Sequence, residues 1–219
     1  MGKKLMIIDP SRCTGCRGCQ VACKQWNEQP AVKTIFTGSY QNPPDLDGDT
    51  YTLVRFRERD NGKPFGVYWL LTNDKCRHCA EPTCVDGFSN AKDATFISPE
   101  GAVVYTDQAK AADFETVKEY CPFNIPRLKK SGVIAKCTLC YDRVAEGMEP
   151  ACAHACPTDA ISFGDYDAMM KYAEERIAWL KAKDGRVKAD KIKLYPDLPS
   201  AVKWILMDDY DAHGLEGDV

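Results

Sequence analysis

Twelve cysteines in tight groups constrain this 219-residue chain more than any other feature. They fall as Cys13, Cys16, Cys19 and Cys23; then Cys76, Cys79 and Cys84; then Cys121 alone; then Cys137, Cys140, Cys152 and Cys156. Disulfide scaffolds are small and dense in cysteine, and a chain this long needs no such staples to fold. Thiols clustered at gaps of two and three residues suit metal ligation better than loop closure.

The run Cys13-Thr14-Gly15-Cys16-Arg17-Gly18-Cys19-Gln20-Val21-Ala22-Cys23 has the spacing C-x2-C-x2-C-x3-C. Three thiolates at two-residue gaps wrap one iron–sulfur cubane, and the fourth points away to a second. Gly15 and Gly18 suit that wrap, because glycine lets backbone N–H groups approach the sulfurs. A run of this kind predicts a reciprocal partner, and Cys137-x2-Cys140-x11-Cys152-x3-Cys156-Pro157 supplies it. The spacing predicts one [4Fe–4S] cluster on Cys13, Cys16, Cys19 and Cys156, and a second on Cys23, Cys137, Cys140 and Cys152. Each run lends its last cysteine to the other, as in two-cluster ferredoxins. Cys76, Cys79, Cys84 and Cys121, again followed by a proline, Pro122, remain for a third cluster.

Paired C-x2-C units are also zinc signatures. A zinc site wants two such pairs, not a triplet with a fourth cysteine three residues on. Zinc, and with it a structural module, stays the alternative, more for the Cys76 group than for the first run. An iron–sulfur enzyme acting alone needs a cluster with an open iron, yet no group here is confined to three cysteines.

Hydrophobic residues make up 44% of the chain, enough for a buried core, and charged residues 28% with a net charge of -3. That balance argues against a nucleic-acid binder. No apolar run is long enough to span a bilayer. The apolar stretch Leu5 to Ile8 is too short for a secretion signal, so work outside the cytoplasm would need export without a signal of its own, or removal of a leader.

Strands are expected at Leu5 to Ile8, Ala102 to Thr106, Ala160 to Phe163 and Val202 to Met207. Tyr51 to Arg57 and Phe65 to Thr72 read as a hairpin joined by Asp60-Asn61-Gly62-Lys63-Pro64. Asp113 to Tyr120 reads as a short helix. Tyr166, Met170, Ala173, Ile177 and Leu180 recur at helical spacing and predict a longer one over Asp165 to Lys183. No Ser–His–Asp arrangement, phosphate loop or dinucleotide fingerprint is present.

The chain resembles the iron–sulfur subunits that partner molybdenum or tungsten bis-pterin oxidoreductases of the dimethyl sulfoxide reductase family. The matching stretches are Cys13 to Cys23, Cys76-Arg-His-Cys79-Ala-Glu-Pro-Thr-Cys84, Cys121-Pro-Phe-Asn-Ile-Pro-Arg127, and Lys136-Cys-Thr-Leu-Cys140-Tyr-Asp-Arg143 through Gly147, Pro150, Cys152 and Cys156-Pro157. With their spacers they cover about residues 5 to 164. The family pattern has sixteen cysteines and four clusters. Here the four remaining positions carry Phe88, Ala111, Phe114 and Val117. All four ligands of one cluster are thus absent together, and their replacements are apolar, as expected of a filled site.

What the resemblance implies is an α+β chain with a pseudo-twofold pair of ferredoxin-like halves. Residues 1–164 would form the polyferredoxin domain. The first and last cysteine runs would make one two-cluster half, 73–130 a one-cluster half with a vacant site, and 30–72 an insertion. Residues 165–219 would be a helix and tail decorating the core or packing on a partner. The chain would carry no substrate chemistry. It would relay electrons between a large catalytic molybdopterin-type subunit, bound as a heterodimer, and a soluble carrier such as a c-type cytochrome or ferredoxin. That subunit would hold a tungsten or molybdenum bis-pterin cofactor and one further iron–sulfur cluster. The missing cluster is the one beside a membrane partner in four-cluster relatives, and the relatives' C-terminal membrane helix is absent too. Both point to a soluble complex. The three-cluster pattern, with Cys19-Gln-Val-Ala-Cys23-Lys-Gln-Trp26 and Gln41-Asn-Pro-Pro-Asp45, resembles the small subunits of soluble tungsten or molybdenum formate dehydrogenases. That resemblance implies export to the periplasm with the large subunit, the cytoplasm being the alternative. The same relay could serve a sulfur-compound or oxyanion reductase.

Other residues attract weaker expectations. Trp26 reads as core or interface packing. His78 and His154 read as surface or hydrogen-bonding residues. Arg127, Lys129 and Lys130 form a basic patch that is either a solvated face or an attractor for an acidic partner.

Overall fold

The computed structural model describes residues 3–60, 66–183 and 189–217. The first strand, β1 (Lys4–Ile8), is apolar at consecutive positions, and the fold explains why. Leu5 and Ile7 face one apolar cluster while Met6 and Ile8 face the other, so the strand is covered on both sides. A strand buried on both faces loses the usual alternation.

The hairpin of β2 (Leu53–Asp60) and β3 (Val67–Asp74) pairs in register from Leu53↔Asp74 to Asp60↔Val67. Its strands begin about two residues later than expected, and all of the expected turn after Asp60 lies outside the described residues. Two smaller hairpins follow: β4 (Thr95–Ile97) with β5 (Val103–Tyr105), and β6 (Arg127–Leu128) with β7 (Ile134–Ala135). The last strands are β8 (Ile161–Asp165), β9 (Lys193–Tyr195) and β10 (Val202–Leu206). The helices are α1 (Gly18–Trp26), α2 (Phe114–Glu119), α3 (Tyr141–Ala145), α4 (Ala151–His154) and α5 (Tyr166–Lys183).

The four-stranded sheet runs β8-β1-β10-β9. β1 pairs antiparallel with β8, Ile8 opposite Ile161, and parallel with β10, Ile8 opposite Trp204. The C-terminal segment therefore does not decorate a finished core; its strand β10 is an interior member of the sheet, with every residue buried. The expected helix forms as α5. Tyr166, Met170, Ala173, Ile177 and Leu180 all join the apolar cluster that covers the Leu5 and Ile7 face, together with Met169 and Tyr172. The opposite face of the sheet, with Met6, Ile8, Val202 and Trp204, meets the cysteines.

His213 ties the tail to this sheet. Its Nε2 accepts the backbone N–H groups of Met207 (3.0 Å) and Asp208 (3.2 Å), so the proton sits on Nδ1, 2.6 Å from Thr72 Oγ1. Burial, with no room for a second ring proton, lowers its pKa from 6.5 to about 4. The unfolded chain takes up this proton as the pH falls below 6.5, and the folded chain does not until about 4. Stability is thus present above 6.5 and declines toward 4, by about 3 kcal/mol in all. We expect thermal unfolding of the loaded protein to weaken between pH 6.5 and 5, with a shallower slope in His213→Gln. Equal slopes would show that other groups set the dependence.

Candidate metal centres

None of the twelve cysteines is in a disulfide. Three cavities divide the thiols among themselves. One is lined by Cys13, Cys16, Cys19 and Cys156. A second is lined by Cys23, Cys137, Cys140 and Cys152. The third is lined by Cys76, Cys79, Cys84 and Cys121. Each expected set of four is brought together, and no thiol is shared among these three cavities.

Two helices divide their thiols between the first two cavities. α1 carries Cys19 and Cys23 one turn apart, and the first faces one cavity while the second faces the other. α4 carries Cys152 toward the second cavity, and the chain leaving it carries Cys156 back to the first. Gly18 permits the close packing: a Cβ there would lie 3.3 Å from the Ala155 carbonyl oxygen.

Three of the four C-x2-C turns share one conformation; in the fourth, Cys16 to Cys19, the left-handed residue is Arg17, with φ of 62°. Gly15, His78 and Leu139 each stand two residues past a cysteine and have φ of 68°, 49° and 55°. Left-handed backbone turns the N–H back to the preceding thiol. The N–H of His78 lies 3.4 Å from Cys76 Sγ, that of Leu139 lies 3.4 Å from Cys137 Sγ, and Gly15 donates to Cys13. Only the first of the three turns uses glycine, so glycine alone could not have marked the other two. Side chains add donors: Asn73 Nδ2 to Cys19 Sγ at 3.2 Å and Asn27 Nδ2 to Cys23 Sγ at 3.6 Å.

Burial pushes the thiols up, Cys19 and Cys137 to about 12 and Cys84 and Cys140 to about 11. Thiols so placed become thiolates only when a cation sits among them. One buried cation already leans on them. Burial works against the charge of Lys75, yet the sulfurs of Cys152 and Cys137 hold its ammonium above the ordinary value. Lys75 donates to Cys152 Sγ at 3.0 Å from a fully buried position, and an anionic iron–sulfur core with its thiolates would be its counter-charge. The donor set therefore fits the cluster. Among the described residues, no three His, Cys, Asp or Glu side chains converge as one metal ion demands. Sulfurs sharing a zinc ion stand about 3.8 Å apart for a bond of roughly 2.3 Å in tetrahedral geometry.

The sets are not equally placed. Cys16 alone of the twelve is exposed, while Cys23, Cys137, Cys140 and Cys152 are all buried. Cys19 feels Cys152 and Cys137 feels Cys76. The Cys137 set thus lies between the other two.

Residues 67–166 match the family described as 4Fe-4S dicluster domain. Formate dehydrogenase 2 subunit beta (cytochrome c-553) of Nitratidesulfovibrio vulgaris is 45% identical over 186 residues, 82% of this chain and 84% of that protein. Formate dehydrogenase subunit beta of Megalodesulfovibrio gigas is 42% identical over 184 residues, 82% of this chain and 84% of that protein. The chain belongs to the iron–sulfur (beta) subunits of formate dehydrogenases. As such it is a non-catalytic electron-transfer subunit with 4Fe-4S clusters. The nitrate-inducible iron–sulfur subunit of Escherichia coli formate dehydrogenase is 41% identical over 179 residues, 81% of this chain but 59% of that protein. No described helix here is long and apolar enough to cross a membrane.

Several expectations need correction. Of the two readings of His78 the surface one fails and the hydrogen-bonding one holds: it is fully buried, and its Nδ1 accepts the Val103 N–H at 3.0 Å. His154 does lie exposed, in the last turn of α4. Of the two readings of Trp26 only the core one fails: it is 40% exposed, hydrogen-bonded to Asp142 and covered by the Arg143 guanidinium at 4.3 Å. The basic patch divides. Arg127 is bound to Asp45 and to the Leu46 carbonyl, whereas Lys130 is exposed. Phe88, Phe114 and Val117 do pack together, with Tyr105 against Phe88 at 4.6 Å. Ala111 does not join them. It is exposed, and Ala109 and Ala112 take part instead. Gly87 makes the packing possible, since a Cβ on it would meet Val117 Cα at 2.7 Å.

Proposed function

We propose that this chain carries three [4Fe–4S] clusters in a row and relays single electrons from a catalytic formate dehydrogenase subunit to a small c-type cytochrome. The observation that carries this reading is the division of twelve thiols into three cavities of four. The order of the row rests on burial. The Cys23 set is enclosed, the Cys13 set reaches the surface at Cys16, and Cys79 and Cys121 are half-buried. Formate oxidation to carbon dioxide releases two electrons and a proton, and each cubane takes one electron at a time. The cytochrome is inferred from the name of the Nitratidesulfovibrio vulgaris relative, which includes cytochrome c-553. A tungsten or molybdenum bis-pterin cofactor and one further cluster belong, on this reading, to the large subunit, and both subunits are exported together to the periplasm.

The two halves are read as a pseudo-twofold pair. Their Cys-Pro segments support this: three residues past Cys121 and past Cys156, Asn124 and Asp159 have φ of 49° and 50°. On the same reading the Phe88, Phe114 and Val117 packing fills the position of a fourth cluster.

Iron, acid-labile sulfide and zinc measured on the purified complex test the count. We expect roughly sixteen irons and as many sulfides per complex, roughly twelve from this chain and four from the large subunit's one cluster, and no zinc. Roughly twelve irons per complex would remove the Cys76 cluster, and zinc with little iron would overturn the reading. Mass spectrometry of the co-purified large subunit, with reduction of the clusters by formate, tests the partner and substrate.

A further inference from the structure

Five cations are buried among the described residues, and four have oxygen partners. Arg55 and Arg77 share the Asp74 carboxylate. Lys136 donates to the carbonyls of Val103 and Cys137, and Lys203 to those of Pro196 and Leu198. Lys75 differs. It is fully buried, and its ammonium donates only to sulfur, at 3.0 Å to Cys152 and 3.7 Å to Met6.

Its position is also particular. Lys75 lines the cavity of Cys23, Cys137, Cys140 and Cys152, the enclosed set of the row. It interacts electrostatically with all four of those thiols and with Cys19 of the first set. In the Cys76 cavity the cations that act on the thiols are Arg77 and Lys136.

Burial disfavours added negative charge, so it lowers the potential of the most enclosed cluster. An uncompensated middle position would be an uphill step in the relay. We propose that Lys75 is a positioning residue for charge, a fixed cation that selectively raises the reduction potential of the cluster on Cys23, Cys137, Cys140 and Cys152. When that set accepts one electron from its neighbour, which is oxidised by one, the Lys75 ammonium offsets the added negative charge. This inference rests on the ligand map of the proposed function.

The test is a redox titration followed by electron paramagnetic resonance on the complete complex, comparing wild type with Lys75→Met and Lys75→Arg. The signal that Cys140→Ser disturbs identifies the middle cluster. In Lys75→Met its midpoint should fall by at least the equivalent of a tenfold change in a one-electron equilibrium, about 59 mV. The other two midpoints should move by less than half as much. Lys75→Arg should recover most of the fall. If Lys75→Met does not assemble, Lys75→Gln, which keeps a donor to Cys152 without the charge, must show the same fall. An unmoved middle midpoint, or an equal shift in all three, overturns the proposal. So does loss of only the middle cluster in both neutral variants, which makes Lys75 structural. Iron in the wild-type complex separates the two levels: fewer than four clusters there, three on this chain and one on the large subunit, defeats the proposed function, whatever Lys75 does.

Discussion

Replacing Cys23 by serine should remove the cluster of its distant neighbours and leave the cluster of its sequence neighbours in place. Cys23 lies only four residues past Cys19 on α1, yet its sulfur lines the cavity of Cys137, Cys140 and Cys152. Cys13, Cys16 and Cys19 share a different cavity, completed by Cys156. A buried serine hydroxyl is a poor replacement for a thiolate, and Asn27, whose Nδ2 donates to Cys23 Sγ at 3.6 Å, loses its sulfur acceptor. This chain's iron should fall by roughly a third, one cubane of three. Paramagnetic resonance of the reduced protein should lose one signal, the same one that Cys140→Ser removes. Loss of the signal belonging to the Cys13 set instead would sink the reciprocal ligand map.

Asp74→Ala should be the most destabilising substitution outside the cysteines. Asp74 is 2% exposed and ends β3, immediately before Lys75 and Cys76. It accepts Arg55 through Nε at 3.1 Å and Nη2 at 2.8 Å, and Arg77 through Nη1 at 2.8 Å. Burial works against the Arg77 charge, and Asp74 together with Tyr195 offsets it, holding that guanidinium above its ordinary value. Arg77 also packs over Phe123 and Trp204, at 4.9 Å to each ring centroid, so it cannot swing out to water. Removing the carboxylate leaves Arg77 without a buried counter-ion and Arg55 with only the half-exposed Asp45. Breaking a buried pair from one side costs about 3–5 kcal/mol. In a chain of this size that is roughly 10 °C in Tm. Calorimetry or denaturant unfolding of the loaded protein checks the figure, and a loss below about 1 kcal/mol would show that the guanidinium groups find other partners. The Cys76 set should loosen with it, because the same backbone positions its first two thiols.

Spacing along the chain was enough to sort the thiols. Gaps of two residues are the reach of one turn, so Cys13, Cys16 and Cys19 must meet whatever surrounds them, and the reciprocal Cys23 and Cys156 follow from the doubled run. Helical spacing was likewise enough for α5, because its apolar face is local. Cys121 joined the Cys76 set only by remainder. The local pattern also failed at His78 and Leu139, where left-handed turns are made without glycine.

What the chain by itself determined, then, was the inventory of twelve thiols and the tight runs in which neighbouring thiols meet, since these depend on contacts within a few residues. Tertiary structure alone decided the rest. It inserted β10 beside β1, some two hundred residues away, and so made the C-terminal segment part of the core. It left Cys16 at the surface and enclosed the Cys23 set between the other two. It buried Lys75 against Cys152 with no carboxylate. Burial and charge environment are sums over neighbours from distant parts of the chain, and no spacing rule contains them.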